Sequence, residues 1–113
     1  MKTFILSILF TTLIYSQGVA RQATLTWEDN DNPSGTMYNA YRASGDCLVA
    51  TGFTKLTPTP VTTKSYVDTT VTTGGKYCYY VTATLNDLES DPSDNVDARI
   101  RPRKVTNDQI NSN

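Results

Sequence analysis

The stretch YCYYVTATL, residues 77–85, decides how the rest of the chain is interpreted. It contains no glycine or proline and is rich in aromatic and β-branched residues, which suit a pleated, half-buried strand. Successive side chains of a strand point to opposite faces. One face is apolar and is predicted to line a core: Tyr77, Tyr79, Val81, Ala83 and Leu85. The other face is amphipathic and begins at Cys78, so we predict the central strand of a small all-β domain.

Shorter stretches with the same alternation lie on both sides of this strand. They cover residues 23–27, 37–42, 53–56, 65–70 and 95–100. Polar segments rich in turn-forming residues separate them, most clearly EDNDNPSG at 28–35 and NDLESDP at 86–92. No long stretch has helical periodicity. Six or seven short strands joined by such turns predict an antiparallel sandwich of two sheets.

Composition excludes several classes of function. The chain has 113 residues, enough for one domain, with a net charge of −1 and no histidine. A nucleic-acid-binding surface would need a basic stripe, which this balance does not provide. Histidine, which is the commonest general base and metal ligand in proteins, is absent from the sequence. We therefore expect neither an enzyme nor a cofactor.

The N-terminus is typical of a secretory signal peptide over residues 1–20. Lys2 precedes an uncharged run at residues 4–15, and the small residues before Arg21 suit cleavage after Ala20. That run is shorter than the roughly 17–25 residues that a membrane-spanning helix needs. We expect a secreted domain at residues 21–102, extracellular or periplasmic, with no membrane insertion after cleavage. Residues 103–113 have too little apolar content to pack and are predicted to be a disordered tail.

The two cysteines suit an oxidising compartment. An even count in an exported chain predicts one disulfide, between Cys47 and Cys78. On the chain-entropy model, closing this loop stabilises the fold by roughly 3–4 kcal/mol. Two unpaired thiols are the alternative. A metal site is less favoured, because two cysteines without histidine do not complete a tetrahedral ligand set.

Taken in order, the residues resemble a fibronectin type III domain over nearly the whole predicted domain. Trp27 resembles the core tryptophan of strand B, and residues 38–42 (YNAYR) resemble strand C. Val71 followed by Tyr77 resembles the tyrosine corner that leads into strand F. Residues 90–96 resemble the entry to strand G. The resemblance implies an immunoglobulin-like sandwich that recognises partners through its loops.

The position of Cys78 argues against a true immunoglobulin domain. In that family the second cysteine follows the corner tyrosine by two residues and faces the core, whereas Cys78 directly follows Tyr77. The resemblance places the bond to Cys47 between the C–C′ loop and the start of strand F, on the outer face of one sheet. It also leaves little room for strand A. We predict either cleavage near Ser16, with residues 17–21 forming a short strand A, or capping of the strand B edge by another chain.

Acidic residues gather in two loops that lie at the same end of this type of sandwich, where recognition is usual. The B–C loop contributes Glu28, Asp29 and Asp31, and the F–G loop contributes Asp87, Glu89 and Asp91. Calcium at Asp29 and Asp31 is a weaker hypothesis, since the segment lacks the glycine and distal glutamate of an EF-hand. Solvated turn residues are the alternative.

Tyr41 and Tyr80 are predicted to point outward from neighbouring strands, where they stack on a sugar or peptide or simply stabilise the sheet. The principal functional hypothesis is a secreted module for protein or cell-surface recognition through the B–C and F–G loops. One alternative is a structural subunit of an extracellular or virion assembly, with self-association at a strand edge. Another is an accessory module of a carbohydrate-active system. The F–G loop lacks Arg-Gly-Asp, so integrin binding is not implied.

Overall fold

The computed structural model describes residues 21–102, and these form an all-β sandwich. Its seven strands are β1 (Ala23–Thr26), β2 (Met37–Ser44), β3 (Thr54–Lys55), β4 (Ser65–Asp68), β5 (Lys76–Leu85), β6 (Leu88–Glu89) and β7 (Val96–Arg99). The predicted signal peptide at 1–20 and tail at 103–113 lie outside the described residues. Within 21–102, no helix is long and apolar enough to cross a membrane.

Two antiparallel sheets make up the sandwich. The smaller sheet pairs β1 with β4, and the larger has the order β3-β2-β5-β6, with β7 also pairing with β5. The longest pairing joins β2 to β5, from Met37 opposite Thr84 to Ser44 opposite Tyr77. The prediction that residues 77–85 form the central strand is therefore confirmed. In the resembled family, β1, β2, β3, β4, β5 and β7 correspond to strands B, C, C′, E, F and G.

The core lies between the sheets and follows the predicted alternation. Four of the five predicted β5 side chains are buried, and Leu85 is half-buried. β1 and β2 contribute alternate residues to the same core, and Ile100, which follows β7, closes it. The buried apolar residues outside β5 include Ala23, Leu25, Trp27, Tyr38, Ala40, Val71, Ala98 and Ile100.

The opposite face of β5 is more covered than its amphipathic pattern suggests. Cys78 is fully buried there, because the loop that follows β2 folds over it. Thr82 and Thr84 are buried too, since β6 places Glu89 opposite Thr84 and against the Thr82 hydroxyl. Polar side chains on this face are therefore engaged within the domain.

Predicted element boundaries differ from the observed ones by up to two residues at most strands, including β2, which extends to Ser44, and two differences have a clear physical cause. The strand predicted at 65–70 ends at Asp68, because the Asp68 carboxylate accepts hydrogen bonds from the Thr70 N–H and hydroxyl and turns the chain. The polar loop predicted at 86–92 instead begins with a tight turn. Asn86 and Asp87 have φ angles of 53° and 65°, and the chain returns immediately as β6. Positive φ at both central residues is the signature of a type I′ hairpin turn.

The disulfide between Cys47 and Cys78 is present, with the two Cα atoms 4.9 Å apart. That separation is within the normal range for a disulfide. The bond joins the loop after β2 to the start of β5, as predicted. The strand A stub predicted at residues 17–21 lies outside the described residues except for Arg21, which is not part of a strand.

A buried polar network joins the two sheets and was not anticipated from the sequence. Asp68 of the smaller sheet is 1% exposed. Its Oδ2 accepts hydrogen bonds from the Arg42 guanidinium at 2.8 Å and the Tyr79 hydroxyl at 2.6 Å, both on the larger sheet. Burial acts to raise the pKa of Asp68, but hydrogen bonds from Thr70, Tyr79 and Arg42 outweigh it, and the pKa lies below its ordinary value.

Candidate functional site

Three aromatic rings meet on the outer face of the larger sheet. Tyr41 and Tyr80 are directly opposite in the β2–β5 pairing, with ring centroids 4.7 Å apart and planes inclined by 21°. Phe53, just before β3, lies against Tyr80 with centroids 4.8 Å apart. All three side chains are half-buried. We call these three residues the aromatic patch.

Glu89 lies next to the aromatic patch. It links two groups of candidate residues, the outward-pointing tyrosines and the carboxylates of the F–G loop. Its Oε2 accepts hydrogen bonds from the Tyr41 hydroxyl at 2.6 Å and from the Thr82 hydroxyl. Burial, followed by the contact with Glu89, raises the pKa of Tyr41 to about 12. Burial acts to raise the pKa of Glu89, but bonds from Thr82 and Tyr41 and the nearby charge of Lys55 lower it. Glu89, which was expected to be a loop carboxylate, is therefore part of the outer face of the larger sheet.

The F–G hairpin projects beside the aromatic patch. It consists of the end of β5, a two-residue turn and β6. Asp87 at the turn and the nearby Asp91 are exposed, and the Leu88 side chain is 51% exposed. The chain after the hairpin is held against β5. Ser90 and Ser93 donate their N–H groups to the carbonyls of β5 at Ala83 and Val81, and their hydroxyls accept the N–H groups of the same two residues. The hairpin therefore extends from a rigid base.

The B–C loop, residues 27–36, uses one of its predicted carboxylates internally. Asp29 is 6% exposed. Its Oδ1 accepts the N–H groups of Asp31 and Asn32, and its Oδ2 accepts the Tyr38 hydroxyl and the Asn32 amide. Burial acts to raise the pKa of Asp29, but these hydrogen bonds lower it. Glu28 and Asp31 are exposed, so they remain available at this end of the sandwich.

Calcium at Asp29 and Asp31 stays a prediction. The Asp29 carboxylate accepts the N–H groups of Asp31 and Asn32, the Asn32 amide and the Tyr38 hydroxyl, so both of its oxygens are engaged within the domain. In the part of the chain that is described, no three histidine, cysteine, aspartate or glutamate side chains are grouped so that they could hold a metal ion. A polar depression of about 220 Å³ lies under the loop, between Asp29, Tyr38 and Lys64.

A second exposed feature lies at the disulfide end of the same sheet. Leu48 is 98% exposed and Val49 is 73% exposed. The turn that carries them is fixed, because the N–H groups of Val49 and Ala50 both donate to the Asp46 carbonyl at 2.9 Å. The Cys47 N–H donates to the Asp97 carboxylate at 2.7 Å. We call Leu48 and Val49 the apolar knob.

Sequence reasoning found Tyr41 and Tyr80 but missed Phe53 and the apolar knob. Adjacent leucine and valine in an otherwise polar loop were the available signal for the knob. Phe53 was assigned to a short strand, and nothing in its local pattern places it over Tyr80. The acidic character of Glu89 is evident from the sequence, but its contact with Tyr41 depends on the hairpin turn at Asn86 and Asp87.

Comparison with known proteins identifies similar structures. A crystal structure of an Fn3-like protein from Clostridium thermocellum is 30% identical to this chain, with a TM-score of 0.56, and the match covers 75% of this chain and 81% of that one. A myokine structure is 16% identical with a TM-score of 0.62, covering 90% of this chain and 100% of that one, and its likeness concerns the fold alone. No family model matches the chain, and no curated protein matches it.

Proposed function

This chain belongs to the fibronectin type III-like family, and from that premise we propose that it recognises a protein partner through the outer face of its larger sheet. The fold is consistent with a non-catalytic binding or structural module. Its disulfide is consistent with an extracellular location. The observation that carries the proposal is the aromatic patch, fixed beside the F–G hairpin by the bond between Tyr41 and Glu89.

The composition of this face suits a protein interface. Buried centres of such interfaces are enriched in tyrosine and phenylalanine, and their rims are polar. The aromatic patch supplies the centre. Lys55, opposite Tyr41 in the β2–β3 pairing, and Glu89 supply charges around it. A few aromatic residues of this kind usually carry most of the binding free energy.

The face is also ordered before any partner arrives. Tyr41 is held by Glu89, the two tyrosine rings stack, and the serines after the hairpin fix its base. Binding to such a surface requires little loss of side-chain freedom, and that loss is one of the main costs of association.

The apolar knob extends the same surface towards the disulfide. Cys78 and Tyr80 share the outer face of β5, and Cys78 is bonded to Cys47, the residue before Leu48. Two adjacent, exposed aliphatic side chains on a fixed turn lie at the disulfide end of the sheet whose outer face carries the half-buried aromatic patch. Exposed apolar side chains that lie together mark protein contact sites. We include the knob in the proposed interface.

The loop end of the sandwich contributes charge to the proposal. Glu28, Asp31, Asp87 and Asp91 are exposed there, which favours a partner with basic residues at the corresponding position. Because Asp29 is engaged with Tyr38 and Asn32, the B–C loop provides fewer contacts than the sequence suggested. Recognition therefore centres on the F–G hairpin and the sheet face beside it.

The test uses the full domain, immobilised, to capture proteins from extracts of its native surroundings, with each captured protein then titrated in purified form. We expect capture by the wild type and loss of capture by a variant carrying both Phe53→Ser and Tyr80→Ser. A Glu28→Gln, Asp31→Asn variant of the B–C loop is the matched control and should retain capture. If that control loses capture while the patch variant keeps it, the proposed surface is wrong.

The accessory role in a carbohydrate-active system has one observation in its favour, which is that stacked tyrosine rings also suit a sugar ring. A glycan array with wild type and Tyr80→Ser tests it. Binding to a glycan that is lost in Tyr80→Ser, with no protein captured, would replace the protein partner by a glycan at the same face.

A further inference from the structure

The outer edge of β4 has unpaired backbone groups within residues 21–102. β4 pairs with β1 on one side, with Leu25 opposite Tyr66 and Thr24 opposite Val67. The Trp27 N–H donates to the Lys64 carbonyl at 3.1 Å in the continuation of this register. Hydrogen-bonded pairs alternate along an antiparallel ladder. The N–H and carbonyl of Val67 therefore point away from β1, towards the outer edge.

The side chains along this edge protect it only at Ser65, whose carbonyl accepts the Thr63 hydroxyl at 3.1 Å. Natural sheet edges are usually blocked by charges, proline or bulges. The segment VTTKSYVDTTV, residues 61–71, contains no glycine or proline, and its charged residues are Lys64 and Asp68. Lys64 donates from its ammonium group to the Asp29 carbonyl at 2.9 Å, and the Asp68 side chain is buried against Arg42 and Tyr79.

Val67 is the apolar element of the edge. Val67 is 43% exposed, and Ser65 at the start of β4 and Thr69, the residue after β4, are exposed polar residues. A β-rich segment of low charge with an accessible edge is the sequence type that pairs with another strand. Its own sequence is a suitable partner, because β-branched residues dominate it and its charges are engaged elsewhere.

We propose that a second copy of this chain pairs antiparallel along the outer edge of β4, with Val67 opposite the equivalent valine. This register is symmetric about a two-fold axis, as in most homodimers. It places Tyr66 opposite the equivalent Asp68, and Ser65 opposite Thr69, the residue after β4, so no charged residue faces its own equivalent. The two β1–β4 sheets then become one continuous four-stranded sheet, and the exposed valines contact each other.

The register is tested by cross-linking of a Val67→Cys variant. Hydrogen-bonded residues in an antiparallel pair have Cα atoms about 5.5 Å apart, within the range that a disulfide spans. We expect Val67→Cys to form a covalent dimer under mild oxidation at least about tenfold faster than Leu88→Cys, as followed by intact mass. Leu88 is a matched control because it is also aliphatic and is 51% exposed on the F–G hairpin. Equal rates, or faster cross-linking of Leu88→Cys, would overturn the proposal.

Association without cross-linking is tested by sedimentation velocity over a concentration series reaching about 1 mM, where weak dimers with millimolar affinity become populated. The wild type and Leu88→Lys should show the same rise towards dimer, and Val67→Lys should associate at least about tenfold more weakly. Thermal melts confirm that each variant is folded. A wild type that stays monomeric, or a Val67→Lys variant that associates like the wild type, would contradict the proposal.

Discussion

The phenolic hydroxyl of Tyr41 donates a 2.6 Å hydrogen bond to Oε2 of Glu89, joining β2 to the F–G hairpin. The same carboxylate accepts the Thr82 hydroxyl from β5. One side chain therefore fixes the position of the hairpin relative to the aromatic patch. This contact turns two separate groups of candidate residues into one surface.

Replacing Glu89 by Gln should lower the pKa of Tyr41 from about 12 towards its ordinary value. The pKa should remain raised in part, because burial is the larger cause and is unchanged. Proton NMR with carbon-13 tyrosine labels reports each ring separately across the titration. Asp91→Asn, on the same side of the domain, is the control and should leave Tyr41 unchanged. A Glu89→Gln variant with an unaltered Tyr41 titration would show that the hydrogen bond is not formed in solution.

Replacing Asp68 by Asn should destabilise the domain by about 3 kcal/mol, because it removes the charge partner of Arg42 in a buried network. Urea unfolding at neutral pH measures this loss. Asp87→Asn, at the exposed hairpin turn, is the matched carboxylate control and should have little effect. A loss for Asp68→Asn no larger than that of the control would mean that the network does not stabilise the fold.

The same residue should make stability depend on pH. The pKa of Asp68 is lower in the folded protein than the value of roughly 3.9 in an unfolded chain. Its contribution is therefore complete above the unfolded value and is lost as the pH falls through the folded pKa. We expect the free energy of unfolding to fall below about pH 4 and to fall less steeply in Asp68→Asn. Asp29 and Glu89, whose pKa values are also lowered, account for the dependence that remains.

Removing the disulfide with the double substitution Cys47→Ala, Cys78→Ala should cost roughly 3–4 kcal/mol, as expected for closing a loop of 31 residues. Burial of Cys78 adds a small cavity to that cost. Denaturant unfolding of the double variant, compared with the oxidised wild type, provides the measurement, and the reduced wild type is the control for loss of the side chains themselves. Equal stability of the oxidised wild type and the double variant would contradict a structural role for the bond.

Replacing Asp87 by Gly should stabilise the hairpin by roughly 0.5–1 kcal/mol. Asn86 and Asp87 both have positive φ, and Asn-Gly is the preferred pair for this turn. Glycine adopts that conformation without the strain of a side chain. Asp91→Gly, outside the turn, is the control and should not stabilise. The thermal midpoints of the two variants separate these outcomes.

The fold was predictable because its signals are local and redundant. Alternation along β5 fixed the core face, and the position of Cys78 beside Tyr77 placed the disulfide on the other side. Contacts between distant segments were not predictable. Asp68 looked like an ordinary strand residue, but its partners lie on the opposite sheet, at Arg42 and Tyr79.

The candidate site was predicted only in part, for the same reason. The outward direction of Tyr41 and Tyr80 follows from strand periodicity, and the structure shows the two rings stacked. The burial of Asp29 depends on Tyr38, and the position of Glu89 depends on a turn with two residues at positive φ. Aspartate in the second position of that turn is less typical than glycine, so the hairpin had only a weak signal.

The most direct test of the account is the affinity of the captured partner for wild type and for Tyr80→Ser, measured by titration calorimetry with both proteins shown to be folded. Loss of a central aromatic contact should weaken binding by about 2 kcal/mol, or roughly thirtyfold, while the Glu28→Gln, Asp31→Asn control stays within about twofold of wild type. The account would be contradicted if Tyr80→Ser bound like the wild type and the B–C loop control lost the partner.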